Sequence, residues 1–152
     1  MSDFTSQAHD LLAEACRRFG LRLVALDESN VALVGTTHAV VIGDDRDDVL
    51  VFYVERRLGG RLLAYNIGTW VDGRFTPEDR ATYGSPHSLV EYRDAALRVV
   101  ATGLTYRCAD VLSGDRGWLD ALRKRDPDSW QPLSFVPGRD ALEHLLQQPT
   151  AT

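Results

Sequence analysis

Residues 21–67 read LRLVALD (21–27), NVALVG (30–35), HAVVIG (38–43), VLVFYVE (49–55) and RLLAYNI (61–67), short apolar runs parted by polar or glycine-bearing breaks. Val, Leu and aromatics dominate and helix formers are scarce, which is the pattern of consecutive antiparallel strands. The breaks carry turn chemistry. Asp27-Glu28-Ser29 and Gly35-Thr36-Thr37 reverse the chain, and Gly59-Gly60 suits a hairpin because glycine adopts positive φ without steric cost. In 38–43 both faces are apolar, Val40 and Ile42 against Ala39 and Val41, which places that strand in the middle of a sheet. The simplest topology is a five-stranded antiparallel meander in sequential order.

Helical patterns flank the meander. Phe4, Ala8, Leu11, Leu12, Ala15 and Phe19 recur at three- and four-residue spacing and form one apolar stripe. Asp3 or Thr5 can cap that helix, Gly20 can end it, and Arg17 and Arg18 suit its last turn. After Gly68, the stretch 69–85 mixes aromatics with turn residues, and Thr76-Pro77-Glu78-Asp79 reads as a capped start of a short helix. A longer helix is expected over 85–102, with Leu89, Val90, Ala96, Leu97, Val100 and Leu104 inward and Gly103 near its end. Residues 106–124 read as a helix broken at Ser113-Gly114, 127–138 as irregular, and 139–147 as a last helix before a fraying tail at 149–152. Glu55-Arg56-Arg57 reads as a strand end entering solvent. The expected architecture is a single α+β domain over 1–152: an N-terminal helix, a five-stranded meander, then several helices packed on one face.

At 152 residues the chain can bury a core without metal or disulfide staples. No apolar run is long enough for a membrane span, and the first ten residues hold two acids and no basic region, so the expected compartment is the cytoplasm. Cys16 and Cys108 then read as small buried hydrophobes rather than a disulfide. The net charge of −5 argues against binding nucleic acid through its phosphates. Sixteen of the seventeen basic side chains are Arg, which forms forked pairs with carboxylates where Lys does not.

Catalytic motifs are missing. His9, His38, His87 and His144 are scattered without metal-ligand spacing, neither cysteine has a neighbouring His, and no G-x-S-x-G or phosphate-cradling glycine loop occurs. No cofactor is expected. The unusual local feature is Asp44, Asp45, Asp47 and Asp48 around Arg46, at an expected hairpin tip. Carboxylates so close repel unless screened. They can be a solvated turn, a calcium loop (though the D-x-D-x-D-G spacing and distant Glu are missing), or an acidic finger for a basic partner. Trp70 and Phe75 in the following loop are candidate interface anchors, or else lids closing the sheet on the long helix. A site assembled from His38, Glu55 and His87 is the remaining enzymatic option.

Two resemblances bear on function. The opening, AHDLLAEACRRFGL (8–21) with VALDESNVALVG (24–35), HAVVIGDD (38–45) and DVLVFYVE (48–55), looks like the start of type III secretion chaperones, small acidic α/β dimers; these place a helix after their third strand, where this chain continues into further strands. The whole chain, with its meander, Trp-bearing loop and RDAALRVVATGLTYRCADVLSGDRGWLDAL (93–122), is similar in build to immunity proteins of polymorphic or contact-dependent toxin systems. That resemblance implies a non-enzymatic binder, monomeric or homodimeric, that blocks a cognate protein toxin; it carries no residue roles.

Overall fold

The computed structural model describes residues 3–149; of the expected fraying tail, 150–152 lie outside the described residues. The helix α1 (Phe4–Phe19) is capped as expected, with Asp3 accepting from the Ser6 N–H at 2.7 Å and Gly20 in the left-handed region at φ 66°. The strands β1 (Arg22–Asp27), β2 (Asn30–Val34), β3 (His38–Asp45), β4 (Asp48–Arg56) and β5 (Leu62–Asn66) follow in the expected order. After them come α2 (Gly68–Asp72), α3 (Pro77–Ala81), α4 (Leu89–Arg107), α5 (Ala109–Ser113), α6 (Gly117–Arg125), the strand β6 (Trp130–Gln131) and α7 (Arg139–Leu145). At α3 the expected capping box is present, Thr76 and Asp79 each accepting the other's backbone N–H.

The sheet has six strands, not five, in the order β1 to β6, all antiparallel. Residues expected to be irregular supply the sixth, Tyr65 and Ala64 pairing with Trp130 and Gln131. Two residues between Ser129 and Pro132 carry no periodicity, so only the waiting edge of β5 makes them a strand.

The helices do not all pack on one face. One face of the sheet, including Leu33, Val40, Ile42, Val51 and Tyr53, is covered by α1, α4, α5 and α6. The other, with Ala32, Val34, Val41, Phe52 and Val54, is covered by Val136, Leu142 and Leu146 of the C-terminal segment. Apolar residues on both sides of the central strands require this second layer, since each buried Val or Leu contributes about 1.5–3 kcal/mol only once it is covered. With seven residues, α7 is too short to stand alone and is held by that packing.

The strand end at Glu55 and Arg56 is also not in solvent: both are buried, 4% and 8% exposed. They point to opposite faces and each ties down the layer it meets. Arg56 donates to the Leu146, Gly60 and Glu143 carbonyls at 3.1, 2.6 and 2.7 Å and to the Glu143 carboxylate at 2.7 Å, fixing α7. Glu55 receives Arg116 from the junction of α5 and α6.

In α4 the expected inward set is partly misplaced. Leu97 and Leu104 are buried, but Leu89 and Val90 are 63% and 51% exposed at the first turn, and the helix starts later than expected, capped by Ser88. It also runs through Gly103 to Arg107. Gly103 is there to admit a ring: a Cβ on it would lie 2.0 Å from Cε1 of Phe75.

Candidate functional site

The acidic hairpin joins β3 to β4, Asp45 facing Asp48 across the two-residue turn Arg46-Asp47. Arg46 has φ 66° while Asp47 does not share a positive φ, the pattern of a type II′ hairpin turn, whose first central position suits Gly and strains a residue with a Cβ by about 1–2 kcal/mol. Arg46→Gly is therefore expected to raise stability by about 0.5–1 kcal/mol in urea denaturation at high salt, where the lost charge is screened.

The four carboxylates separate into distinct roles. Asp44 is engaged inside the protein: its Oδ1 accepts the Arg46 N–H at 3.0 Å and its Oδ2 the Arg93 guanidinium at 3.2 Å. Arg93, with its side chain 12% exposed, also pairs with Asp94 and lies 5.6 Å from the Phe4 ring centroid, so it binds the hairpin base to α1 and α4. Asp48 caps its own strand, accepting from Val49 N at 2.8 Å with Oδ1. Among the described residues Asp45 and Asp47 have no side-chain partner, and both are exposed.

Beside the hairpin runs a shallow groove. Asp48, Asp72, Phe75 and Val100 border two adjoining recesses, about 430 and 370 Å³, the second also lined by Tyr83 and Arg80. Phe75 is 8% exposed, so it is a floor under this groove rather than a projecting anchor. Leu50, 37% exposed, lines the first recess, and Leu89, Val90 and Tyr92 stand open in the first turn of α4. On the other side of the hairpin Val90, Asp44 and Arg93 line a further recess with Asp27 and Glu28. Each side of the hairpin thus sets an exposed apolar side chain among carboxylates, Leu50 with Asp48 and Asp72, and Val90 with Asp27 and Asp44.

Trp70 is not part of it. Its half-buried ring carries the guanidinium carbons of Arg74 and Arg125 at 5.7 and 5.8 Å and lines a separate recess with Leu122 and Asp126. The structure thus brings Asp48 and Phe75 together, leaves Asp45 and Asp47 free at the tip, and takes Trp70 elsewhere.

The His38, Glu55 and His87 set is divided as well. His38 and Glu55 are cross-strand partners, whereas His87 is exposed ahead of α4, its N–H on Glu91. His38 is 7% exposed, wedged against Gly35 and Gly114, with its ring 5.9 Å from that of Tyr53. Its Nε2 lies 2.8 Å from the Leu112 carbonyl, which can only accept, so Nε2 holds the proton. Burial holds the imidazole below its usual range, against the opposing pull of that carbonyl and of Glu55. Glu55 is occupied by Arg116 at 2.9 and 3.1 Å and by Arg57 at 3.3 Å. A covered imidazole and a saturated carboxylate form a structural clamp, not an open acid–base pair.

Both cysteines are free thiols; burial raises each, Cys108 to about 11, so neither is poised as a nucleophile. Among the described residues no group of three His, Cys, Asp or Glu is placed to hold a metal ion, and no helix is long and apolar enough to cross a membrane.

No protein-family model matches the chain, and neither a curated protein nor a solved structure is detectably similar to it. The surface itself therefore carries the functional reading. The acidic run was legible in sequence. The exposed Leu89 and Val90 were not: their spacing fits the buried stripe, and only the position of Ser88 as cap could have hinted that they lie in the first, uncovered turn.

Proposed function

We propose that this chain is a non-enzymatic, cytoplasmic protein-binding module, an immunity protein that neutralises a cognate toxin by docking a basic surface of it on the hairpin face. The observation that carries the reading is the pairing of unpartnered acids with open apolar side chains: Asp45 and Asp47 are exposed at the hairpin tip, and Leu50 and Val90 are exposed in the recesses at its base. Apolar groups at the centre of an interface supply affinity, and a charged rim steers encounter and selects partners of opposite sign. Clefts that bind phosphate chains, as in nucleases, present that opposite sign.

The test is a pull-down from the native cell with this chain as bait, followed by titration calorimetry and stopped-flow on the partner recovered. Replacing Asp45, Asp47 and Asp48 by Asn together is expected to slow association about tenfold at low salt, with the difference shrinking at high salt. Stability should shift by no more than about 1 kcal/mol, because Asp45 and Asp47 make no side-chain contact to lose and Asn at position 48 keeps an oxygen for the Val49 N–H. Leu50→Asp and Val90→Asp should weaken the complex through faster dissociation. Unchanged association in the Asn variant would remove the hairpin from the interface. Capture of an extended, exported effector instead of a toxin would favour the chaperone reading.

A further inference from the structure

A second feature, sharing no lining residue with the hairpin groove, lies where β5, β6 and α6 meet. There an open cleft of about 690 Å³ is lined by Arg61, Arg123, Lys124, Tyr65, Ser129 and Trp130, among others. The volume lies within the range of small-molecule sites, about 300–1,000 Å³.

Its charge is opposite to that of the chain. Arg61, Arg123 and Lys124 converge on it with one carboxylate, Asp120, and among the described residues none of the three cations is in an ion pair. In a protein of net charge −5 with many Arg–carboxylate pairs elsewhere, unpaired cations gathered in one concavity are available to an anion. Arg offers a planar fork to phosphate or carboxylate oxygens and Lys a mobile point charge. The carboxyl-terminal end of α6 presents carbonyls, which favour no anion, so recognition would rest on these side chains.

Two further observations point to a ligand. Ser129 lines the cleft, is 3% exposed, and its Oγ has no hydrogen-bond partner. A buried hydroxyl left unsatisfied costs about 1–3 kcal/mol, a cost that a polar ligand atom removes once the serine side chain turns toward the cleft. Trp130, 53% exposed, stands at the rim beside Tyr65. β6 holds it there, so an indole is presented to the cleft on an ordered strand instead of being packed into the core. A planar ring can stack on it.

We propose that this cleft binds a phosphorylated compound with a planar ring, of the nucleoside monophosphate class. The phosphate is held by Arg61, Arg123 and Lys124, a polar group meets Ser129 Oγ, and the ring lies on Trp130. The site is independent of the interface reading and stands or falls separately from it.

The experiment titrates the full chain with adenosine monophosphate, and separately with inorganic phosphate and adenosine, by calorimetry and tryptophan fluorescence. The monophosphate should bind saturably below millimolar concentration, and each fragment should bind at least about tenfold more weakly. Trp130→Ala should weaken binding about tenfold and Arg123→Glu with Lys124→Glu about a hundredfold, with the melting transition unchanged because all three side chains are exposed. Ser129→Ala should weaken it by about fivefold. No saturable binding, affinity indifferent to the Arg123 and Lys124 reversal, or either fragment binding as tightly as the monophosphate would overturn the proposal. So would preferential binding of an acidic peptide or a single-stranded oligonucleotide.

Discussion

Gly103→Ala is expected to destabilise the protein by about 2–3 kcal/mol, although the same change inside an unconstrained helix stabilises by about 1 kcal/mol. Gly103 is buried within α4, and the Cβ it lacks would lie 2.0, 2.2 and 2.6 Å from Cε1, Cδ1 and Cζ of Phe75. These are overlaps with an aromatic ring, not with the tip of a flexible chain. Phe75 cannot retreat easily: it is 8% exposed, its N–H is bonded to the Asp72 carbonyl at 3.1 Å, and Arg80 lies over its ring at 5.9 Å. Denaturant unfolding of Gly103→Ala, Phe75→Leu and the double variant checks the mechanism. The smaller side chain costs stability alone but should recover at least about 1 kcal/mol when Ala occupies position 103. A single variant that melts higher than the parent, or a double variant that is simply additive, would refute the ring-in-notch account. On the proposed interface reading, Gly103→Ala should also disturb docking at the groove that Phe75 floors beside Asp48, where a remote destabilising change would not.

The second large effect belongs to the clamp on the end of β4, and it is asymmetric. Arg116→Ala should cost about 2 kcal/mol near pH 8, because it leaves the 4% exposed Glu55 carboxylate with only the Arg57 contact at 3.3 Å. Glu55→Gln should cost about half as much, since the Arg116 side chain it releases is 42% exposed and can turn to water. The pH dependence carries the sign. In the parent His38 is held below its unfolded value of about 6.5, so the unfolded chain takes up the proton first. Stability is therefore lost as pH falls through about 6.5 toward the folded value. Removing Arg116 exposes His38 to an uncompensated Glu55 charge, which raises the imidazole. The acid loss then shrinks, and the cost of Arg116→Ala should be smaller at pH 5 than at pH 8. Unfolding curves at the two pH values, with a proton titration of the His38 ring by NMR, decide it. A cost independent of pH, or a His38 resonance that titrates as in the parent, would refute the coupling.

Much of this fold was legible because it is determined by neighbouring residues. The strands from 21 to 67 show in short apolar runs, the ends of α1 in Asp3 and Gly20, the start of α3 in Thr76 and Asp79, and the β4–β5 turn in Gly59 and Gly60 at φ 92° and 87°. Each depends on contacts within a few positions, where turn geometry and capping leave few choices. The carboxylates at 44–48 were likewise visible as a turn.

What the tertiary structure alone decided involves partners far apart in the chain. β6 is a strand because β5 offers it an edge, and α7 crosses to the second face because Val41, Phe52 and Val54 need covering. Whether Glu55 and Arg56 meet water depends on Arg116 and Glu143, sixty-one and eighty-seven residues away. Asp44 is bound and Asp45 free only because Arg93 reaches one of them across forty-nine residues. Local sequence sets backbone geometry and the chemistry a side chain can offer. Burial and pairing are properties of the assembled packing, and they select which of those side chains remain for a partner.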